Sequence, residues 1–339
     1  MSPVDLAVML SWFVLLSLFA LAAGLFLLGV DRKLAAHMQA RIGPPIRQPF
    51  IDVAKLLQKE NVVPANAISA VFHLSPLIAL ASSIVILFYL PVGSLLPVLG
   101  MYGDLVLVMY LLTVPALAMV AGGFASGSPY ATVGAQREMV TMIAYEFPLA
   151  VVVIGVAWRL GAAGLSSPFA LGTMAANPIW TVVGPLGIAG ILLLLLVLAV
   201  VTPAELSRIP FDTQEAETEL AGGLLVEYSG RNLAMFYLAQ GVKTLVLAAV
   251  IVAIFFPWNL SGFLAMPPWL ALPADILFFL VKAILVLFFS VTLVRVGMAR
   301  LRINQVVSVY WIYLSVIGLT GLLLLMADAA LPTLMGVGA

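Results

Sequence analysis

The run WTVVGPLGIAGILLLLLVLAVVT occupies residues 180–202 and contains no charged side chain. A helix needs about 20 mainly apolar residues to cross the hydrocarbon core of a bilayer. A helix also satisfies its own backbone hydrogen bonds, which lipid cannot do for it. The run therefore predicts a transmembrane helix, and with it an integral membrane protein.

Comparable apolar runs recur along the whole chain. They lie at 6–30, 70–96, 104–124, 138–160, 232–257, 274–298 and 308–330. The composition agrees, because 64% of the 339 residues are hydrophobic and only 9% are charged, whereas soluble domains have about 25% charged residues. We therefore predict an all-α integral membrane protein, a single membrane domain over residues 1–339 with about eight transmembrane helices.

The basic residues predict the orientation of these helices. They concentrate in four alternate connections, after the first, third, fifth and seventh apolar runs, and the other connections hold almost none. The positive-inside rule places such connections in the cytoplasm. Both termini are then outside, and the two large charged cytoplasmic loops cover residues 31–69 and 203–231.

Within the loop at 31–69, four apolar residues recur at helical spacing. Phe50, Val53, Ala54 and Leu57 fall at i, i+3, i+4 and i+7, which is the pattern of an amphipathic helix. Such a helix lies at the membrane interface. It serves either as a simple surface helix or as a docking surface for a soluble subunit, and the pattern alone leaves both open.

Composition also excludes several classes of function. The net charge is zero, so the chain lacks the basic face that nucleic-acid-binding proteins carry. There is no cysteine, and the two histidines, His37 and His73, are far apart in sequence. Thiolate ligation of an iron–sulfur cluster is therefore excluded, and we predict no metal ligand, no catalytic residue and no cofactor bound by this chain.

Four ionisable residues fall inside the predicted spans or at their ends. Glu138 lies at the start of the fourth run and Glu146 farther inside it, while Lys243 and Lys282 lie inside the sixth and seventh. A charge at the centre of a span costs at least ~2.5 kcal/mol, and proton relay is a function that accounts for it. The alternatives are a helix-terminal acid for Glu138, a hydrogen-bonded acid for Glu146 and static ion pairs for the lysines.

The loop at 203–231 is the densest cluster of acids in the chain, with six carboxylates and two arginines. Asp212 and Glu215 have the spacing of a capping box. Glu215 and Glu219 would repel each other at i, i+4 of one helix. Because the apolar segment 222–226 follows at once, we expect the loop to enter a protein-lined cavity. Crowded acids there have coupled, raised pKa values suited to proton exchange.

Three groups of motifs resemble a single family. PFD at 210–212 precedes EAETEL at 215–220 and EYSG at 227–230; DRK at 31–33 precedes QARIGP at 39–44; and AGGFAS at 121–126 precedes AYEFPL at 144–149. In this order they resemble subunit 1 of respiratory complex I, which is called the H subunit in bacteria.

Two segments resemble one branch of that family more closely. GPPIRQPF at 43–50 and LVEYSGRN at 225–232 are similar to the ion-translocating membrane anchor subunits of group 4 membrane-bound nickel–iron hydrogenases, including formate hydrogenlyases. Quinone-reducing members typically have asparagine where this chain has Pro45. The resemblance therefore favours the hydrogenase branch.

The resemblance implies a bundle of eight helices in the inner (cytoplasmic) membrane, beneath a soluble arm with iron–sulfur clusters and, in the hydrogenase branch, a nickel–iron site. It also implies antiporter-like membrane subunits as neighbours. With the two buried lysines, the proton-path candidates are Glu138, Glu146, Glu205, Asp212, Glu215, Glu219, Glu227, Lys243 and Lys282. The candidates for docking the redox arm or lining a quinone loop are Arg32, Arg41, Arg47, Lys55, Arg208 and Arg231.

We therefore predict a subunit of an oxidoreductase complex that couples electron transfer in the soluble arm to proton or sodium translocation. The alternative is the quinone-binding subunit of an NADH:quinone oxidoreductase. A secondary transporter with a midplane site is disfavoured, because the two halves show no inverted repeat. A passive anchor is the remaining alternative, in which the internal charges are only structural pairs.

Overall fold

The protein is all-helical in the computed structural model, which describes residues 3–264 and 266–334. Its helices are α1 (Pro3–Met38), α2 (Gln48–Gln58), α3 (Ser69–Leu87), α4 (Leu105–Ala125), α5 (Pro129–Ala162), α6 (Leu171–Ala176), α7 (Ile179–Val182), α8 (Pro185–Glu205), α9 (Glu217–Leu220), α10 (Gly230–Phe255), α11 (Pro268–Leu287), α12 (Leu293–Gly297), α13 (Ile303–Ser308) and α14 (Ser315–Leu334). Two π-helical turns, Phe288–Thr292 and Val309–Leu314, join α11 to α12 and α13 to α14. No strand forms among the described residues.

Within that part of the chain, eight segments are long and apolar enough to cross a bilayer. They run Leu10–Met38, Ser69–Leu87, Leu105–Ala125, Pro129–Ala162, Pro185–Glu205, Gly230–Gly262, Pro268–Gly297 and Ile303–Leu331. The prediction of an all-α membrane protein with eight transmembrane helices is therefore confirmed.

Two helices extend beyond their apolar runs. α1 continues to Met38, so Asp31 and the residues after it belong to this helix and not to the loop predicted at 31–69. α5 begins at Pro129, well before the predicted run, so Glu138 lies inside the helix and is not a helix-terminal acid. Hydropathy misses both extensions because they contain polar residues, of which Asp31 and Glu138 are buried against protein and His37 and Gln136 are exposed.

α10 is the central helix of the bundle. In its most apolar window 89% of the residues are buried inside the protein, against 33% to 61% for the other spans. It packs against α1, α3 and α11, while α5 packs against α4, α8 and α14. Lys243, near the middle of α10, is therefore surrounded by protein and not by lipid.

One end of the bundle, which we call the charged end, carries α2, the loop of residues 206–229 and the connection 298–302. α2 packs on α1 and α10, with Val53 buried and Phe50 and Leu57 exposed. The acidic loop is shorter than the predicted 203–231, because α8 continues to Glu205 and α10 begins at Gly230. That the charged end faces the cytoplasm stays a prediction.

Gly24 of α1 and Gly241 of α10 bring the two helix backbones into direct contact. A Cβ atom on Gly24 would lie 2.6 Å from the carbonyl carbon and oxygen of Gly241. Small residues at helix interfaces allow this close approach inside membranes. The glycine pair therefore sets the distance between α1 and the helix that carries Lys243.

We predict that Gly24→Ala destabilises the protein by about 1–3 kcal/mol, because the added methyl group forces α1 and α10 apart. Gly172→Ala is the matched control, since nothing lies within 4 Å of a Cβ atom added there. Thermal unfolding of both variants in the same detergent measures the difference. Equal midpoints would contradict the close contact of α1 with α10.

Candidate functional site

A buried ion pair joins α8 to α10. The Nζ atom of Lys243 lies 2.8 Å from Oε1 of Glu205, and the two side chains are 4% and 1% exposed. Neither of these two atoms makes a hydrogen bond within the part of the chain that the structure describes, so the attraction is mainly between the two charges. Removing each ion from water costs several kcal/mol. Each charge therefore depends on the other for its place in the bundle.

A second buried acid, Glu138 of α5, lies within electrostatic range of this pair. Its carboxylate interacts with Lys243, Glu205 and Glu215. Among the residues that the structure describes, neither carboxylate oxygen of Glu138 has a hydrogen-bond partner. Glu138 and Glu205 therefore share the positive charge of Lys243.

A small cavity lies beside the ion pair. Its volume is about 20 Å³, and Glu205, Glu215 and Lys243 form part of its wall. A polar cavity of this size holds about one water molecule. Tyr145 of α5, with a fully buried side chain, also interacts with Glu205. Two acids, a lysine and a phenol from α5, α8 and α10 thus lie close together, and the cavity opens on the side of Glu205 and Lys243 that faces α3 and α4.

The loop of residues 206–229 covers this cluster at the charged end. The carboxylate of Asp212 lies 2.8 Å from the guanidinium group of Arg300, and that of Glu219 lies 2.6 Å from Arg137 of α5. The side chain of Asp212 is 9% exposed and that of Glu219 is 58% exposed. The first pair is therefore a partly buried anchor for the loop, and the second is largely solvated.

Two glycines turn the loop back toward α10. Gly222 and Gly223 have φ angles of 102° and 58°, values that favour glycine. A Cβ atom on Gly223 would lie 1.8 Å from the carbonyl oxygen of Gln214. Only glycine fits at this position, and the loop closes on itself there.

Two local predictions about this loop are wrong. Helix α9 begins after Ala216, and the Asp212 carboxylate pairs with Arg300, so the predicted capping box does not form. Glu215 precedes α9, so it does not share a helical face with Glu219. Local spacing could not reveal a partner that lies far along the chain.

Asp212→Asn is expected to destabilise the loop by about 1–3 kcal/mol, because it removes the negative charge that pairs with Arg300 in a partly buried position. Glu219→Gln removes a solvated pair and is expected to cost about 0–1 kcal/mol. Hydrogen exchange of the amides of residues 206–229 measures both effects. Equal protection in the two variants would contradict the anchoring role of Asp212.

Glu146 and Glu227 are half-buried. Glu146, on α5, interacts electrostatically with Glu205 and so extends the cluster along this helix. Glu227 lies at the end of the loop, shortly before α10. Within residues 3–264 and 266–334, no group of three or more His, Cys, Asp or Glu side chains has an arrangement that could hold a metal ion.

Lys282 of α11 lies apart from the cluster. Its ammonium group donates to the carbonyl oxygens of Phe256 and Trp258, at 2.8 and 2.6 Å. These carbonyls follow the end of α10 that is opposite the charged end. The structure therefore brings Glu138, Glu205 and Lys243 together and places Lys282 elsewhere in the bundle.

The basic candidates are all found at the charged end. Arg32 pairs with Asp52 of α2 at 3.1 Å and donates to the Tyr237 hydroxyl. Desolvation lowers the pKa of Arg208, against the raising effect of the nearby Asp31. The other basic candidates have exposed side chains: Arg41, Arg47, Lys55 and Arg231.

Two buried acids with partners were missed by the sequence reasoning. Asp31 accepts a hydrogen bond from Thr292 at 2.7 Å and pairs with Arg295 at 3.1 Å. Asp328 pairs with Arg159 at 3.0 Å. Asp328 lies within the apolar run at 308–330, and a charge in such a run could have identified it from the sequence. Asp31 gave no such signal, because it falls at the start of the loop predicted at 31–69.

The chain matches the model of a known protein family. A family model described as NADH dehydrogenase matches residues 10–326. The chain belongs to this family. The match includes Glu138, Glu205, Lys243 and the whole acidic loop, so the candidate site lies within the shared part of the chain.

Individual relatives agree with this assignment. The H subunit of NADH-quinone oxidoreductase from Brevibacillus brevis is 33% identical over 324 residues, which cover 92% of both chains. The corresponding protein of Thermomicrobium roseum is 34% identical over 329 residues, covering 89% of this chain and 91% of that one. The complex I subunit 1 family inferred from the motifs is confirmed, and the chain is a multi-pass subunit of a respiratory membrane complex.

A solved structure shows the same fold. A chain of the membrane-bound sulfane sulfur reductase, an archaeal respiratory membrane complex, superposes with a TM-score of 0.81 at 28% identity. The alignment covers 94% of this chain and 99% of that one. The fold is therefore shared with a subunit of an archaeal sulfane sulfur reductase complex. The two bacterial relatives are instead named as subunits of NADH-quinone oxidoreductase.

Proposed function

We propose that this chain couples electron transfer in a soluble redox arm to ion translocation through the membrane. The observation that carries the proposal is the buried Glu205–Lys243 ion pair, with Glu138 close enough to share the lysine charge. Ionisable groups inside a bundle are expensive, and proton relays are among their recognised uses. A chain that only anchored its partners would not need three such buried groups within electrostatic range of one another.

The proposed route begins at the acidic loop. Glu215 and Glu205 both line the cavity beside the ion pair, and the cavity has room for about one water molecule that could pass a proton between them. Lys243 is then attracted to whichever of Glu205 and Glu138 is ionised. Glu146, within range of Glu205, is the next acid along α5. Movement of the loop about Gly222 and Gly223 is the two-state element that would connect this route to the redox arm.

We propose the following surroundings for the chain. The charged end faces the cytoplasm in the inner membrane and carries the soluble arm. Arg47, Lys55 and Arg231 are the exposed basic residues of this docking surface. The arm contains the iron–sulfur clusters and, in a hydrogenase, the nickel–iron site, while antiporter-like subunits lie beside the bundle in the membrane.

Two branches of the family compete for the finer assignment. The segment GPPIRQPF at 43–50, with Pro45 in place of asparagine, favours the hydrogenase branch. The names of the two bacterial relatives favour a quinone-reducing complex. In both branches this chain provides the route for ions through the membrane, and its partner subunits provide the redox centres.

The test is purification of the native complex in mild detergent, with assays for nickel, hydrogen evolution and quinone reduction. Nickel with hydrogen evolution and no quinone reduction is the expected result. Quinone reduction without nickel would overturn the hydrogenase assignment. In liposomes, redox turnover should generate an ion gradient, and turnover without any gradient would overturn the coupling role.

A further inference from the structure

A cavity of about 570 Å³ lies at the charged end, away from the Glu205–Lys243 pair. Arg32, Arg41 and Arg295 line it, together with small residues of α1 and of the loop that follows. No aspartate or glutamate lines this cavity. Its polar wall therefore consists largely of guanidinium groups.

The charges around this cavity are not balanced. Arg32 and Arg295 each have a carboxylate partner at 3.1 Å. Arg41 donates to the neutral amide of Gln39, and no carboxylate of the described residues lies within ion-pair distance of it. Arg208 does not line the cavity, and it interacts with Asp31 as well as with Arg295. A bound anion would relieve the mutual repulsion of these arginines.

The shape of the cavity follows from α1. Arg32, Ala35, Ala36 and Gln39 fall at i, i+3, i+4 and i+7, so one helical face contributes all four residues. The two alanines leave open space between the long side chains. Gly43, with a φ of +68°, brings the next loop so close that a Cβ atom there would lie 2.5 Å from that of Ala36.

Three apolar side chains of the segment that contributes to this cavity are exposed. Met38, Ile42 and Ile46 are close in sequence to the lining residues Gln39, Arg41 and Gly43 and are 43%, 86% and 41% exposed. Guanidinium groups match the geometry of phosphate oxygens, and basic pockets between transmembrane helices bind anionic headgroups. A phospholipid satisfies both features, because its phosphate pairs with the arginines while its acyl chains cover the exposed apolar side chains of this segment.

We propose that this cavity binds the phosphodiester headgroup of an anionic phospholipid. The lipid fixes the turn that follows α1 at the membrane surface. This inference does not depend on the proposed proton route, because it concerns different residues and a different measurement. The complex can bind the lipid and fail to translocate ions, or the reverse.

The experiment uses the purified complex after lipid has been removed with detergent. Phosphatidylglycerol, phosphatidylcholine or inorganic phosphate is added, and native mass spectrometry counts the molecules bound to this chain. We expect a tight phosphatidylglycerol site that phosphatidylcholine does not fill. Arg41→Gln should weaken it by about fivefold, whereas Lys59→Gln, which removes an exposed charge at the same end, should not.

Three outcomes would overturn the proposal. Equal phosphatidylglycerol binding by Arg41→Gln and the unmodified complex would exclude this cavity as the site. Binding of inorganic phosphate alone, without lipid binding, would show that the anion is a free phosphate. Release of the soluble subunits by Arg41→Gln, with lipid binding unchanged, would show that an acidic segment of a partner occupies the cavity.

Discussion

Lys243→Met is expected to destabilise the protein by about 3–5 kcal/mol, because it leaves the carboxylate of Glu205 buried without its counter-charge. The two groups are 2.8 Å apart and almost fully buried, so solvent cannot replace the lysine. The thermal midpoint of the purified complex and the yield of assembled complex both measure the loss. A midpoint equal to that of the unmodified complex would contradict the buried pair.

The double variant Lys243→Met with Glu205→Gln separates stability from function. It removes both charges, so most of the lost stability should return. Ion translocation should not return, because neither remaining side chain titrates. Normal translocation by a stable double variant would mean that the pair is only structural, and the passive-anchor alternative would then be correct.

Glu138→Gln is expected to leave assembly and redox turnover intact while slowing proton transfer by about 10²-fold or more, since glutamine has the same shape but no proton to exchange. Glu138 has no ion-pair partner of its own in the described part of the chain, so its neutral analogue should cost little stability. Gradient formation per electron in liposomes measures the effect.

The matched control for this variant is Glu60→Gln. Glu60 is exposed at the charged end, in the connection after α2, and its replacement removes the same charge without touching the cluster. Translocation should be unchanged in Glu60→Gln. If the two variants translocate ions equally well, Glu138 is not part of the route.

The transmembrane architecture could be predicted from the sequence because each span is a long apolar run, and lipid permits few alternatives to a helix. The same logic identified Glu138, Glu146 and Lys243, because a charge within such a run is rare enough to notice. Glu205 and the loop acids stand out by their crowding in residues 203–231 and by the motifs that contain them. That any of these residues carries protons stays a prediction.

The pairing of the charges could not be predicted in the same way. Asp212 pairs with Arg300 and Asp31 with Arg295, contacts between residues that are close only after the helices pack. Hydropathy also misplaces the end of α1 and the start of α5, because both contain polar residues, among them Asp31 and Glu138, which are buried against other helices. Lys282 was grouped with Lys243 because position within a span does not tell which neighbours a side chain meets.

The most direct test of the account is a redox-induced infrared difference spectrum of the purified complex, which detects carboxyl groups that gain or lose a proton during turnover. We expect a protonated-carboxyl band that disappears in Glu138→Gln and persists in Glu60→Gln. A spectrum with no such band, or a band that survives Glu138→Gln unchanged, would contradict the claim that this buried acid carries protons.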